Sequence, residues 1–217
     1  MKKIYLHPLP VRIWHWINAA GFIVLIITGI QIRFGNVVNL FSFETAVDIH
    51  SWTGFILIAN YFIWLIYYIF TGKIKIYIPP LHHPVEFARR SLRQAKFYGY
   101  GILVGDQNPH HPTPDSKFNP MQQMSYLMIM AVLIPVQMIT GLLLWDPELF
   151  SGVVNIVGGI QIVDLIHVGL FIFFSAFIIV HFYLATLGHT TFAHIIAMFS
   201  GYEEEEEEEH GEHAHSH

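Results

Sequence analysis

The sequence predicts an all-α integral membrane four-helix bundle with an additional cytoplasmic interfacial helix. Three observations carry that expectation. The 217 residues are 53% hydrophobic and 12% charged, with a mean hydropathy of +0.47, whereas soluble domains carry roughly twice that charged fraction. The apolar residues gather into four runs, each meeting the roughly 20 residues a helix needs to cross a hydrocarbon core of about 30 Å. The basic residues, finally, segregate to alternate connections, as the positive-inside rule requires.

The chain starts with Met-Lys-Lys ahead of an apolar stretch, which resembles a secretory signal. No small-residue cleavage site follows and the run is long, so a retained membrane helix is expected. That first span covers residues 14–34 and begins with His15 between Trp14 and Trp16, whose amphipathic rings suit a membrane interface. The second span covers 48–70, the third 124–145 and the fourth 162–187. Short connections at 35–47 and 146–161 alternate with a long polar one at 71–123. Lys2, Lys3 and Arg12 precede the first span, and Lys73, Lys75, Arg89, Arg90, Arg93, Lys96 and Lys117 fall in the long connection. Arg33 alone lies on the other side, which predicts a multi-pass protein of the cytoplasmic (inner) membrane with both termini cytoplasmic.

In the long connection, HPVEFARRSLRQAKFYG repeats Val85, Ala88, Leu92 and Ala95 at helical spacing with bases opposite. That pattern predicts an amphipathic helix lying on membrane lipid. GDQNPHHPTPDSKFNP follows and reads as a proline-rich loop. The predicted domain boundary falls after Tyr202, with 1–202 the membrane domain and 203–217 a disordered acidic, His-rich tail. Before Glu203 there are eight acids against eleven bases, so the net charge of −5 is a property of the tail. No nucleic-acid partner is expected.

The absence of cysteine excludes thiolate-held iron–sulfur clusters and covalent haem at C-x-x-C-H. Four of the fifteen histidines, His15, His50, His167 and His181, lie inside spans, where an ionisable residue is costly and implies function. Span direction puts His15 and His181 at cytoplasmic depth and His50 and His167 at the opposite depth. Fourteen residues at about 100° each bring His167 and His181 to within about 40° of one direction and roughly 21 Å apart. Facing imidazole pairs suit the axial positions of haem iron. Gly21, Gly29, Gly54 and Gly169 would let a flat macrocycle approach backbone, or serve helix packing. Arg12 and Arg33 would neutralise haem propionates, although Arg12 is equally a membrane-surface charge. A zinc site needs three or four clustered ligands. Two histidines per depth fall short of that, although Asp48 and Asp164 lie near the outer pair.

HPLPVRIWHWINAAGFIVLIITG, DIHSWTG and HVGLFIFFSAFIIVHFYLATLGHT resemble the di-haem cytochrome b subunits of membrane-bound hydrogenases, formate dehydrogenases and thiosulfate reductases. HFYLATLGHTTFAHIIAMFSGYEE is most similar to the thiosulfate reductase-like members. The resemblance covers nearly the whole chain to Tyr202. It implies two b haems with bis-His ligation, His50 and His167 for the outer and His15 and His181 for the inner. It also implies quinone as mobile substrate near the cytoplasmic face, and a periplasmic redox subunit as partner: a hydrogenase, a molybdenum oxidoreductase or a multihaem cytochrome. The formate dehydrogenase branch carries Asn-x-Gly beside the quinone. FNPMQQ here offers Asn119 and Gln122 but places Met121 at the Gly, and capping of a helix start explains both equally. His189 suits either proton delivery to quinone or a helix C-terminus. The protein implied is an electron-transfer subunit of an oxidoreductase that completes no net substrate reaction alone. The competing expectation is a non-redox bundle, either a metal transporter served by the tail or an anchor for a partner enzyme.

Overall fold

The computed structural model describes residues 2–80, 82–110, 118–186 and 190–205. Four long helices account for the four apolar runs: α1 (Leu9–Arg33), α2 (Phe43–Phe70), α4 (Pro120–Trp145) and α6 (Ile160–Ala185). Between them lie α3 (Pro84–Lys96), α5 (Ser151–Val157) and, after α6, α7 (Ala193–Ser200). A two-stranded antiparallel sheet joins β1 (Lys2–Tyr5) to β2 (Tyr202–Glu205). The observed architecture is thus the predicted all-α, four-span bundle, with one short strand pair tying the ends of the chain together.

Each long helix starts earlier than its hydrophobic run, and local chemistry explains where. Ser42 caps α2 by accepting from the Thr45 amide at 3.1 Å, and Glu44 complements the helix dipole. Asn119 and Gln122 form a capping box at α4, the Gln122 amide donating to Asn119 at 2.9 Å and the Asn119 amide to Gln122 at 3.1 Å. Pro10 sits in the first turn of α1, where its missing N–H costs nothing. The connection between α5 and α6 turns on Gly158 and Gly159, both at positive φ (110° and 98°), which a side chain would oppose.

The inside of the bundle is built differently at its two ends. At the basic end Tyr61, Trp64 and Tyr68 of α2 are buried with Val11, Tyr77, Ile129, Met130 and Phe174. Outside this core the spans expose Ile23, Ile63, Ile66 and Ile179, as lipid-facing helices do because the hydrocarbon replaces buried protein. Helix α4 is not uniform. Residues 129–133 wind as a π-turn ahead of Pro135, a common way to absorb a ring that would otherwise clash with the preceding turn. The Met130 carbonyl in that turn accepts from the Tyr61 hydroxyl at 2.8 Å.

Helix α3 packs on the bundle by Phe87, Ser91 and the fully buried Gln94, which donates to Asn108 at 3.1 Å. Its apolar strip faces away, with Val85 and Leu92 about three-quarters exposed. That unpartnered strip fits an interfacial helix. The expected tail boundary moves by three residues: Glu203 to Glu205 belong to β2, paired with Ile4 to Lys2. Residues 206–217, His189 and Lys117 lie outside the described residues.

Candidate functional site

The four membrane histidines meet in pairs. The His15 ring on α1 lies 6.3 Å, centroid to centroid, from His181 on α6. His50 on α2 lies 6.4 Å from His167 on α6. An imidazole nitrogen sits roughly 1.1 Å from its ring centroid and binds a first-row metal at about 2.0–2.1 Å, so imidazoles opposed across one metal place their centroids about 6.2–6.4 Å apart. Both pairs meet that spacing. Among the described residues no three of His, Asp, Glu or Cys gather around one point, so the donor set suits a macrocycle with two axial ligands better than a tetrahedral ion. Because α6 is continuous from Ile160 to Ala185, its two histidines stand about 21 Å apart along one helix.

Polar neighbours fix the outer pair. Thr28 donates its hydroxyl hydrogen to the Val24 carbonyl at 2.8 Å, leaving its oxygen as an acceptor 2.9 Å from Nδ1 of His50. Thr140 does the same on α4, donating to Val136 at 2.8 Å and facing Nδ1 of His167 at 3.0 Å. With both hydroxyl hydrogens directed to backbone carbonyls, the tautomer that completes these contacts is Nδ1–H, which would leave the Nε2 lone pair for a metal. The side-chain nitrogen of Gln137 lies 3.3 Å from Nε2 of His167, a contact that a metal bound at Nε2 would displace. Thr28, Thr140, Gln137 and Gly141 were missed as site residues in the sequence, whereas Gly29 was among the glycines expected there. The available signal was a polar residue in mid-span with no other purpose. At the inner pair the contacts are aromatic: His181 stacks on Phe177 at 5.7 Å, and His15 meets Trp16 edge-on at 5.2 Å.

The remaining expected site residues are placed as follows. A Cβ on Gly29 would lie 3.5 Å from the His50 ring, and one on Gly21 would run into Leu57 at 2.6 Å. Gly21 thus serves close packing of α1 on α2, while Gly54 and Gly169 border open space, with nothing within 4 Å. Arg33 pairs with Asp164 at 3.4 Å across α1 and α6, so its charge is already balanced by protein. Arg12 donates to the Phe199 carbonyl, and its buried Nε has no hydrogen-bond partner among the described residues. That leaves one donor at the inner end for an acid group. Asn119 and Gln122 are the capping box, and Asn119 also donates to the Tyr98 hydroxyl at 3.0 Å; the capping explanation accounts for both. The tryptophans differ from a simple interfacial pair. Trp14 stacks on Trp64 at 5.5 Å, whereas Trp16 stacks on Phe199 at 4.3 Å and donates to the Met198 carbonyl at 3.2 Å. They therefore anchor α1 to the protein.

Residues 6–201 match the model of a family described as prokaryotic cytochrome b561. The chain is also 32% identical over 207 residues to the Escherichia coli (strain K12) protein YdhU, whose name marks it as a candidate cytochrome. That match covers 93% of this chain and 75% of the relative.

Proposed function

Because the chain belongs to the prokaryotic cytochrome b561 family, a family of membrane b-type cytochromes acting in electron transfer, we propose that it is a di-haem member. It would carry electrons between the quinone pool and a periplasmic redox subunit. The observation that carries the reading is the spacing of the two imidazole pairs, 6.3 Å and 6.4 Å. Haem at each pair would supply one-electron exchange. The chain's own part is to hold two irons on one shared helix, α6, near opposite ends of the bundle.

Nine of the eleven bases lie before α1 or between α2 and α4, and Arg12 lies in the first turn of α1, which supports placing the His15–His181 end at the cytoplasmic face of the inner membrane. Quinone or quinol is the mobile substrate at that end. Engaging it through Asn119 or Gln122 would dismantle the cap of α4. The partner facing the His50–His167 end would be a hydrogenase, a molybdenum oxidoreductase or a multihaem cytochrome.

A reduced-minus-oxidised optical spectrum of the purified protein, with haem quantified per chain, tests the reading. About two b haems per chain are expected. His50→Ala or His167→Ala should remove one and leave the other visible. Loss of neither haem in both variants would refute the pairing, and no haem in protein made with adequate supply would end the cytochrome reading.

A further inference from the structure

The two threonines that meet the outer histidines occur in the same tripeptide, Ile27-Thr28-Gly29 on α1 and Ile139-Thr140-Gly141 on α4. A valine stands four residues before each threonine, Val24 and Val136, and supplies the carbonyl that takes the hydroxyl hydrogen at 2.8 Å in both copies. In both copies the threonine oxygen then meets Nδ1 of a histidine on the neighbouring helix, at 2.9 Å and 3.0 Å. In both, the threonine hydroxyl also reaches the carbonyl three residues before it, Leu25 at 3.3 Å and Gln137 at 3.1 Å. The glycine closes each copy against the ring: a Cβ there would touch Cε1 of His50 at 3.5 Å and crowd that of His167 at 3.2 Å. A threonine and the glycine after it thus meet one imidazole of the neighbouring helix, twice, once for each member of the same pair.

We propose that these Ile-Thr-Gly tripeptides are matched clasps that lock His50 and His167 as Nδ1–H tautomers aimed at one shared iron. The inference rests on the di-haem reading. Its chemical basis is that a metal-bound imidazole whose other N–H is held by an acceptor is a stronger donor and keeps its ring orientation. Thr28 and Thr140 are therefore positioning residues that act through the histidines. Among the described residues no hydrogen bond is recorded on His181, whose ring is held by stacking on Phe177. The clasp stabilises the ferric form of the outer haem beyond what its two histidines would achieve without the threonines.

The test is a potentiometric titration of the whole haem-loaded protein, followed optically and by EPR of the low-spin ferric signals. Thr28→Val and Thr140→Val keep the shape and delete the acceptor. Each should move the midpoint of the same single haem to higher potential and shift one ferric signal, with the other haem unchanged. The double variant should move further, and Thr→Ser at either position should restore the wild-type values. A haem-loaded wild type whose valine variants leave both midpoints in place, or move both equally, overturns the clasp while the di-haem reading stands. A wild type without haem overturns that reading first. Should one valine variant fold poorly, the other interrogates the same iron from the opposite side.

Discussion

At the scale of single residues, tolerance for a methyl group separates glycines of different purpose. A Cβ on Gly141 would lie 3.2 Å from the His167 ring, tighter than ordinary contact, whereas one on Gly29 would lie at an ordinary 3.5 Å from His50. Neither ring can retreat without losing the threonine contact that orients it. Gly141→Ala should therefore cost haem occupancy at the outer pair, where Gly29→Ala should cost less. Gly169→Ala, which meets nothing within 4 Å, should leave the empty protein's stability unaltered. Overpacking of this kind is worth about 1–3 kcal/mol when neighbours are fixed. Haem per chain in the three purified variants checks the ranking. Equal occupancy in Gly141→Ala and wild type would show that the ring has slack.

At the scale of elements, the beginning of α4 depends on two polar side chains and its middle on a π-turn. Asn119→Ala removes the acceptor for the Gln122 amide and the donor to Tyr98. Loss of a side-chain cap typically costs about 1 kcal/mol. The variant should melt lower than wild type while both haems keep their spectra, since the cap touches neither histidine pair. If quinol-driven reduction slowed in this variant with no change in melting, Asn119 would instead be serving the quinone. Helix α3 makes the complementary point about patterns. Its periodicity is amphipathic, but the fold buries the Phe87, Ser91 and Gln94 side and turns Val85 and Leu92 outward. A helix beside a bilayer has two apolar neighbours to choose between, and here the side that carries the buried Gln94, hydrogen-bonded to Asn108, faces the protein.

At the scale of the whole molecule, the two ends of the chain are latched over the inner histidine end. Glu203 on β2 lies 3.3 Å from His194 of α7 and 4.0 Å from His7, the Leu6 and His7 amides both donate to the Gly201 carbonyl, and Arg12 donates to the Phe199 carbonyl. The hydrogen bond to Glu203, opposed in part by burial, raises the affinity of His194 for its proton above the usual 6.5. Protonated His194 therefore stabilises the latch fully below pH 6.5, and that contribution fades as pH rises through the raised folded value. Amide exchange in β1 and β2, corrected for intrinsic rates, should show protection falling as pH is raised from about 6. His194→Gln should remove the pH dependence; an identical profile in that variant would exclude His194 as its source.

How far the site was legible in the sequence follows from the same three scales. Four spans and the pairing of His15 with His181 and of His50 with His167 were readable. Hydrophobic length and charge bias are one-dimensional quantities fixed by the solvent each segment must meet. Even the pairing of the histidines follows from depth once the helices alternate. The functions of Thr28, Thr140 and Gly141 did not follow, because a hydroxyl four residues after a carbonyl is common in membrane helices and acquires meaning only from the ring on the adjacent helix. Arg33 and Trp14 were assigned to the propionates and the interface respectively, since the sequence shows neither Asp164 across the bundle nor Trp64 beneath the ring. The sequence by itself thus determined which segments enter the membrane and at what depth their imidazoles lie. Which faces of those helices meet, and hence which hydroxyls, glycines and carboxylates stand within 3–4 Å of a ligand, was decided only by tertiary packing. Contacts of that kind depend on rotation about each helix axis, which the weakly patterned apolar runs of a membrane protein leave unspecified.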